Sequence, residues 1–162
     1  MNLYLDLKLL LLLAVANGVP VFAKDILGSR LSFPLDGGAR FLDGRPLLGP
    51  SKTVRGIVLS LLVTMLGAPA LGLDWKTGLT VAGLAMMGDL FSSFLKRRMA
   101  LAPSSMALGL DQVPESLFPA LACIPLLALT PADVAAITVC FFAGELVLSR
   151  LLYKMRLRDR PY

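Results

Sequence analysis

Apolar residues gather in five stretches, at about Leu7 to Ala23, Ile57 to Leu73, Thr77 to Leu95, Ser116 to Leu129 and Ala132 to Tyr153. A helix needs about 20 apolar residues to cross a bilayer. The first, third and fifth stretches approach that length, whereas the second and fourth are shorter. Pro69 interrupts the second, and Pro119 and Pro125 the fourth, where missing amide donors and ring clashes bend a helix. The pattern predicts an all-α polytopic membrane protein of about five transmembrane helices with two polar cytosolic loops. A partly re-entrant fourth segment is the alternative at that position. Ala14-Val15-Ala16 imitates a secretory cleavage site, but Asp6 precedes the leucine run and cations follow it, the reverse of a leader's charge bias. The first stretch is therefore read as a span.

Composition agrees with this reading. Of 162 residues, 56% are hydrophobic and 17% charged, and the mean hydropathy is +0.74, against roughly half apolar and a quarter charged for a soluble domain. Spans of this length leave only loops and tails, so residues 1–162 form a single integral-membrane domain. Histidine is absent, which excludes a Ser-His-Asp triad, a histidine base and every histidine-containing zinc site. Carboxylates, cations, hydroxyls and metals remain. Cys123 and Cys140 lie in apolar runs without C-x-x-C spacing and are expected to pack as small hydrophobes.

The net charge is +5, and its placement orients the chain. With five crossings, the loop from Lys24 to Arg55, the loop from Lys96 to Glu115 and the C-terminal tail share one side. They carry 14 of the 16 Lys and Arg residues; only Lys8 and Lys76 fall on the other. Such a bias places the N-terminus outside, the C-terminus inside and both long loops in the cytosol. The basic tail, which includes Arg156, Arg158 and Arg160, reads as an orientation signal touching anionic headgroups, not as a nucleic-acid site.

An ionisable residue inside a span is costly and marks a functional hypothesis. Asp89 and Glu145 qualify, Glu145 less so because Ser149 and Arg150 lie within a turn and a half. At 100° per residue Asp89, Ser92, Ser93 and Lys96 share one helix face, with Arg97 beside them and Arg98 opposite. They form a polar stripe about 10 Å long, from a buried carboxylate to an interfacial cation cluster. The first loop contains Asp36-Gly37-Gly38, Asp43-Gly44-Arg45 and Gly49-Pro50-Ser51-Lys52-Thr53-Val54-Arg55-Gly56, in which backbone amides and cations can meet phosphate oxygens. It lacks Walker A spacing. The second loop supplies Asp111, Gln112 and Glu115; taken alone, Asp111 could equally cap the fourth helix. Carboxylates, cations and a glycine-rich loop beside lipid suit Mg²⁺-dependent chemistry on phosphates.

Together these residues resemble the CDP-archaeol synthase family. The likeness runs through Ala16-Asn17-Gly18-Val19-Pro20-Val21, Asp36-Gly37-Gly38, Asp43-Gly44-Arg45, Leu48-Gly49 and Lys52-Thr53-Val54-Arg55-Gly56, then Gly88-Asp89, Ser93-Phe94-Leu95-Lys96-Arg97-Arg98 and Leu110-Asp111-Gln112. Related CDP-diacylglycerol synthases carry a similar Ser-x-x-Lys-Arg core. The resemblance implies a nucleotidyltransferase of phospholipid biosynthesis that joins CTP to a lipid phosphate, releasing pyrophosphate, with Mg²⁺. It implies that Asp89 and Asp111 ligate Mg²⁺, that Lys96 and Arg97 take phosphates, and that Ser93 orients an oxygen. Lys52, Thr53 and Arg55 would close over the nucleotide, with Asp36 and Asp43 as further metal or ribose contacts. Three positions depart from the pattern: Pro50 and Ser51 replace an expected Asp-Gly, and Pro114 stands where a second acid is expected, leaving Glu115 to substitute. Phosphatidate as the lipid and a non-catalytic headgroup-binding subunit are the alternatives. Gly78, Ala82 and Ala85 offer close helix contacts for a homo-oligomer.

Overall fold

The computed structural model describes residues 2–102, 105 and 107–154, apart from the side chains at 152 and 153. Arg156, Arg158 and Arg160 of the basic tail lie outside the described residues. Five helices follow one another: α1 (Leu3–Leu27), α2 (Val54–Gly67), α3 (Trp75–Arg98), α4 (Gln112–Leu127) and α5 (Pro131–Lys154), with a 3-10 turn, Ala68–Leu71, extending α2. The turn gives the short second stretch its length, because Val54–Leu71 reaches 18 residues and 3-10 geometry rises about 2.0 Å per residue. Four of these segments are long and apolar enough to cross a membrane. The fourth helix, α4, has 16 residues, about 24 Å against a hydrocarbon core of roughly 30 Å.

Local chemistry sets the boundaries. Asn2, Thr53 and Asp74 cap α1, α2 and α3, each side chain accepting a first-turn amide. At α5, Asp133 Oδ2 accepts from Thr130 N at 2.8 Å while Asp133 N donates to Thr130 Oγ1 at 3.3 Å, a reciprocal capping box. Asn2 N donates to Asp133 Oδ1 at 3.1 Å, tying the starts of α1 and α5 together at one end of the bundle. The other end carries the 28–53 and 99–111 loops.

Leu9, Leu12, Leu13 and Ala16 of α1, Val81, Ala82 and Ala85 of α3, and Cys123 and Ile137 from α4 and α5 form the core. Small residues let the backbones close up. A Cβ on Gly78 would stand 2.7 Å from both Ala68 Cβ and the Thr64 carbonyl oxygen, and Ala82 and Ala85 are fully buried. The close helix contacts expected of this stripe are thus made inside the chain. Cys123 is buried as expected; Cys140 is exposed, because its helix turns that face outward with Val139 and Val147.

Candidate active site

The 28–53 loop is built around a short two-stranded contact that presents Lys52. Leu35 N donates to Lys52 O at 2.8 Å and Val54 N to Phe33 O at 3.0 Å. Asp36 holds the fold of this loop: Oδ1 accepts from Gly38 N, and Oδ2 from Leu48 N at 2.9 Å and Gly49 N at 3.0 Å. Burial raises the Asp36 carboxyl, yet the amides of Gly49, Leu48 and Gly38 outweigh it and leave it below the ordinary aspartate value. Beyond it, the turn at Asp43 and Gly44 returns the chain, and Asp43 receives the Arg98 guanidinium. That guanidinium also lies 4.8 Å and 5.0 Å from the Phe41 and Phe94 ring centres, a cation–π seat. Arg98, on the face of α3 opposite the polar stripe, therefore pins the loop onto the helix. Its position in the Lys-Arg-Arg run gives no hint of this, since Phe41 and Asp43 lie more than fifty residues away.

Lys52 reaches Asp89 on α3, with Nζ 2.5 Å and 2.6 Å from the two carboxylate oxygens. Glu115, nearly fully buried in the first turn of α4, lies against the same carboxylate at hydrogen-bonding range. Gly88 makes that meeting possible. A Cβ there would fall 2.5 Å from the Pro114 carbonyl carbon and 2.7 Å from Glu115 N, inside any tolerated contact. Only a residue without a side chain lets α4 begin across α3 and deliver Glu115 beside Asp89.

Two turns further along α3, Lys96 and Arg97 are 7% and 5% exposed, low enough to require partners for their charge. Lys96 Nζ stands 2.7 Å from Asp111 Oδ1 and donates to Ser105 O at 3.0 Å; Arg97 donates to Ala102 O at 2.9 Å and faces Asp111 electrostatically. Asp111 occupies the N-cap position of α4 but makes no side-chain cap. Its carboxylate instead meets Lys96 and accepts from Ala107 N at 3.0 Å. Ser93 is buried on the same stretch of α3.

A cavity of about 670 Å³ opens beside the first of these groups, lined by Lys52, Thr53, Arg55 and Asp89 and by Lys24, Ser29, Ser32 and Ser51. The structure thus brings Lys52, Thr53, Arg55 and Asp89 to one wall. Ser93, Lys96, Arg97 and Asp111 gather in a second polar group, while Asp36 and Asp43 serve the loop itself. Thr53 Oγ1 accepts from Gly56 N at 3.2 Å, and Arg55 donates to the carbonyls of Gly28 and Arg30, so both are held at the cavity edge by the ends of helices. The hydroxyls of Ser29, Ser32 and Ser51 are additions that no local sequence pattern announces.

Two cation–carboxylate groups, the first beside a cavity of about 670 Å³, thus stand at one end of a helical bundle whose long apolar segments suit a membrane, which makes this a membrane-embedded protein with a polar site. Known proteins narrow this to a nucleotidyltransferase. The CarS-like family described as CDP-archaeol synthase matches residues 71–162. A CDP-archaeol synthase of Sulfurisphaera tokodaii is 32% identical over 91% of this chain and 89% of its own length. One from Hyperthermus butylicus is 40% identical over 60% of this chain and 59% of its own. A solved intramembrane enzyme for archaeal membrane lipid biosynthesis superposes with a TM-score of 0.65 at 28% identity, covering 85% of this chain and 90% of the other. The chain belongs to the CDP-archaeol synthase family.

Proposed function

We propose that this protein transfers CMP from CTP to a lipid phosphate at the cytosolic membrane face, with Mg²⁺, the N-terminus lying outside and the C-terminus in the cytosol. The observation that supports it is the Lys52–Asp89 pair on the cavity wall, with the buried Glu115 behind it against Asp89. Asp89 and Glu115 supply adjacent hard oxygen donors. Mg²⁺ is commonly held by one or two carboxylates with substrate phosphates and water, a set that these two acids could provide. Glu115, at the position next to Pro114, is the second acid; Asp111 is engaged by Lys96 and acts to orient it. When bound, Mg²⁺ would neutralise phosphate charge and stabilise the leaving pyrophosphate.

The remaining work falls to the chain's own side chains. Lys52 exchanges its carboxylate partner for a nucleotide phosphate as the site fills, and Asp89, so released, would take Mg²⁺ in its place. Lys96 and Arg97 hold the lipid phosphate or the triphosphate, and Ser93 orients one oxygen. A phosphate oxygen of the lipid attacks the α-phosphorus, forming the new anhydride P–O bond while the bond to the β-phosphate oxygen breaks in line. A phosphate monoester has its second pKa near 6, so the nucleophile is already ionised, and a chain without histidine needs no general base. Position and electrostatics carry the rate. The test is purified protein with labelled CTP, Mg²⁺ and a panel of dialkyl- and diacylglycerol phosphates. Formation of a labelled CDP-lipid supports the proposal and identifies the lipid; no labelled lipid with any member, with and without metal, defeats it.

A further inference from the structure

A second cavity, about 290 Å³, lies between α1 and α5, away from the one that holds Lys52. The two helices run parallel, their starts tied by Asn2 and Asp133, so positions along them can be compared by level. Toward the loop-bearing end the groove carries Asn17, Glu145 and Ser149; toward the far end it carries Leu10, Cys140 and Phe141. Polarity therefore falls along its length. From Leu10 to Gly18, or from Cys140 to Ser149, the groove spans about 12–13 Å. Gly144 and Ala14 are exposed, so its side opens toward the bilayer.

The polar end of this groove meets the site already described. Glu145 on the groove wall faces Glu115 electrostatically, and Glu115, buried between the two cavities, lies against Asp89 on the wall of the first. An acidic lining is a poor seat for a phosphate and a suitable one for neutral hydroxyl or ether oxygens. We infer that this groove seats the glycerol end and the first part of one hydrocarbon chain of the lipid substrate, with its phosphate directed past Glu145 toward Asp89 and Lys96. This inference rests on the function proposed above. A chain already dissolved in lipid gains little by moving onto an apolar protein surface. The groove therefore works by orientation: it aims the headgroup, leaving the rest of the chain in the bilayer.

Gly144 provides the means of testing it, because a Cβ there meets nothing within 4 Å and leucine favours a helix more than glycine does. The protein in nanodiscs is irradiated with a dialkylglycerol phosphate carrying a diazirine near the start of one chain, and the attachment sites are mapped. Labelling concentrated on Leu10, Cys140 and Phe141, competed by unlabelled lipid phosphate and reduced about tenfold or more in Gly144→Leu, supports the groove. The same variant should lose turnover with long-chain substrate, keep turnover of a short-chain analogue and leave the KM for CTP unchanged. Labelling spread over the outward faces of α2 and α3 without competition, or groove labelling indifferent to Gly144→Leu, overturns it. Turnover without groove labelling sinks this inference alone, whereas competed groove labelling without any turnover sustains it and defeats the cytidylyl-transfer reading.

Discussion

The two ends of the bundle both hold carboxylates away from open solvent, buried at Asp133 and half-buried at Asp89 and Asp111, and they use them differently. At the end where α1 and α5 begin, Asp133 accepts from Thr130 N, from Thr130 Oγ1 at 2.6 Å and from Asn2 N. These donors belong to helix caps that must be satisfied for the helices to start there. At the loop-bearing end, Asp89 and Asp111 meet lysine ammonium groups carried by distant segments, and a cavity lies alongside. An ammonium can trade a carboxylate for a phosphate without breaking a helix; a capped amide cannot. Burial of an acid thus does not by itself mark the chemistry, and the nature of its partner does.

The widest separation between the two ends should come from matched substitutions. Asp89→Asn should cut CDP-lipid formation by about 10²–10³-fold with thermal stability nearly intact, while Asp133→Asn should cost about 1–2 kcal/mol of stability and leave kcat unchanged. Comparable activity loss in both would erase the distinction. Gly88→Ala should do both kinds of damage at once. It forces α4 off α3, costing about 1–3 kcal/mol, and it carries Glu115 away from Asp89, so activity falls further than thermal unfolding accounts for.

Smaller effects sharpen the contrast within the loop-bearing end. Lys96→Ala should raise the KM for CTP or lipid phosphate, or lower kcat, by about ten- to a hundredfold, the worth of a charged hydrogen bond; unchanged kinetics would make Lys96 an anchor only. The smallest effect is a pH dependence at Asp36. Its native value lies below the ordinary one, so an unfolded aspartate, near 3.9, takes up its proton first as pH falls. The stabilisation it lends is complete above about pH 4 and drains away as pH drops through the native value. Limited proteolysis of the 28–53 loop should accordingly accelerate in that acid range, and Asp36→Asn should cleave readily at neutral pH.

Helix positions were legible because apolar run length and proline placement act locally. The second stretch looked short because Pro69 marks a break there, whereas a 3-10 turn at Ala68–Leu71 continues the segment with a steeper rise per residue. Asp89 stood out as a charge where charge is expensive, and Lys96 and Arg97 as interfacial cations on or beside its helix face. Arg98 did not, because its worth depends on Phe41 and Asp43 arriving from another loop. Asp111 was readable as an acid beside a helix start, yet whether it caps α4 or faces Lys96 is a matter of side-chain direction that no spacing encodes.

Run lengths, the lack of histidine and the one-sided distribution of cations determined a helical membrane protein whose chemistry is left to carboxylates, cations, hydroxyls and metals. Those properties are sums over neighbours along the chain. Which acid meets which lysine was decided only by tertiary structure, since it depends on α4 crossing α3 at Gly88 closely enough to bring Glu115, and not Asp111, against Asp89. That approach is set by contact distances between backbones 26 residues apart in the chain, a separation at which periodicity has nothing left to say.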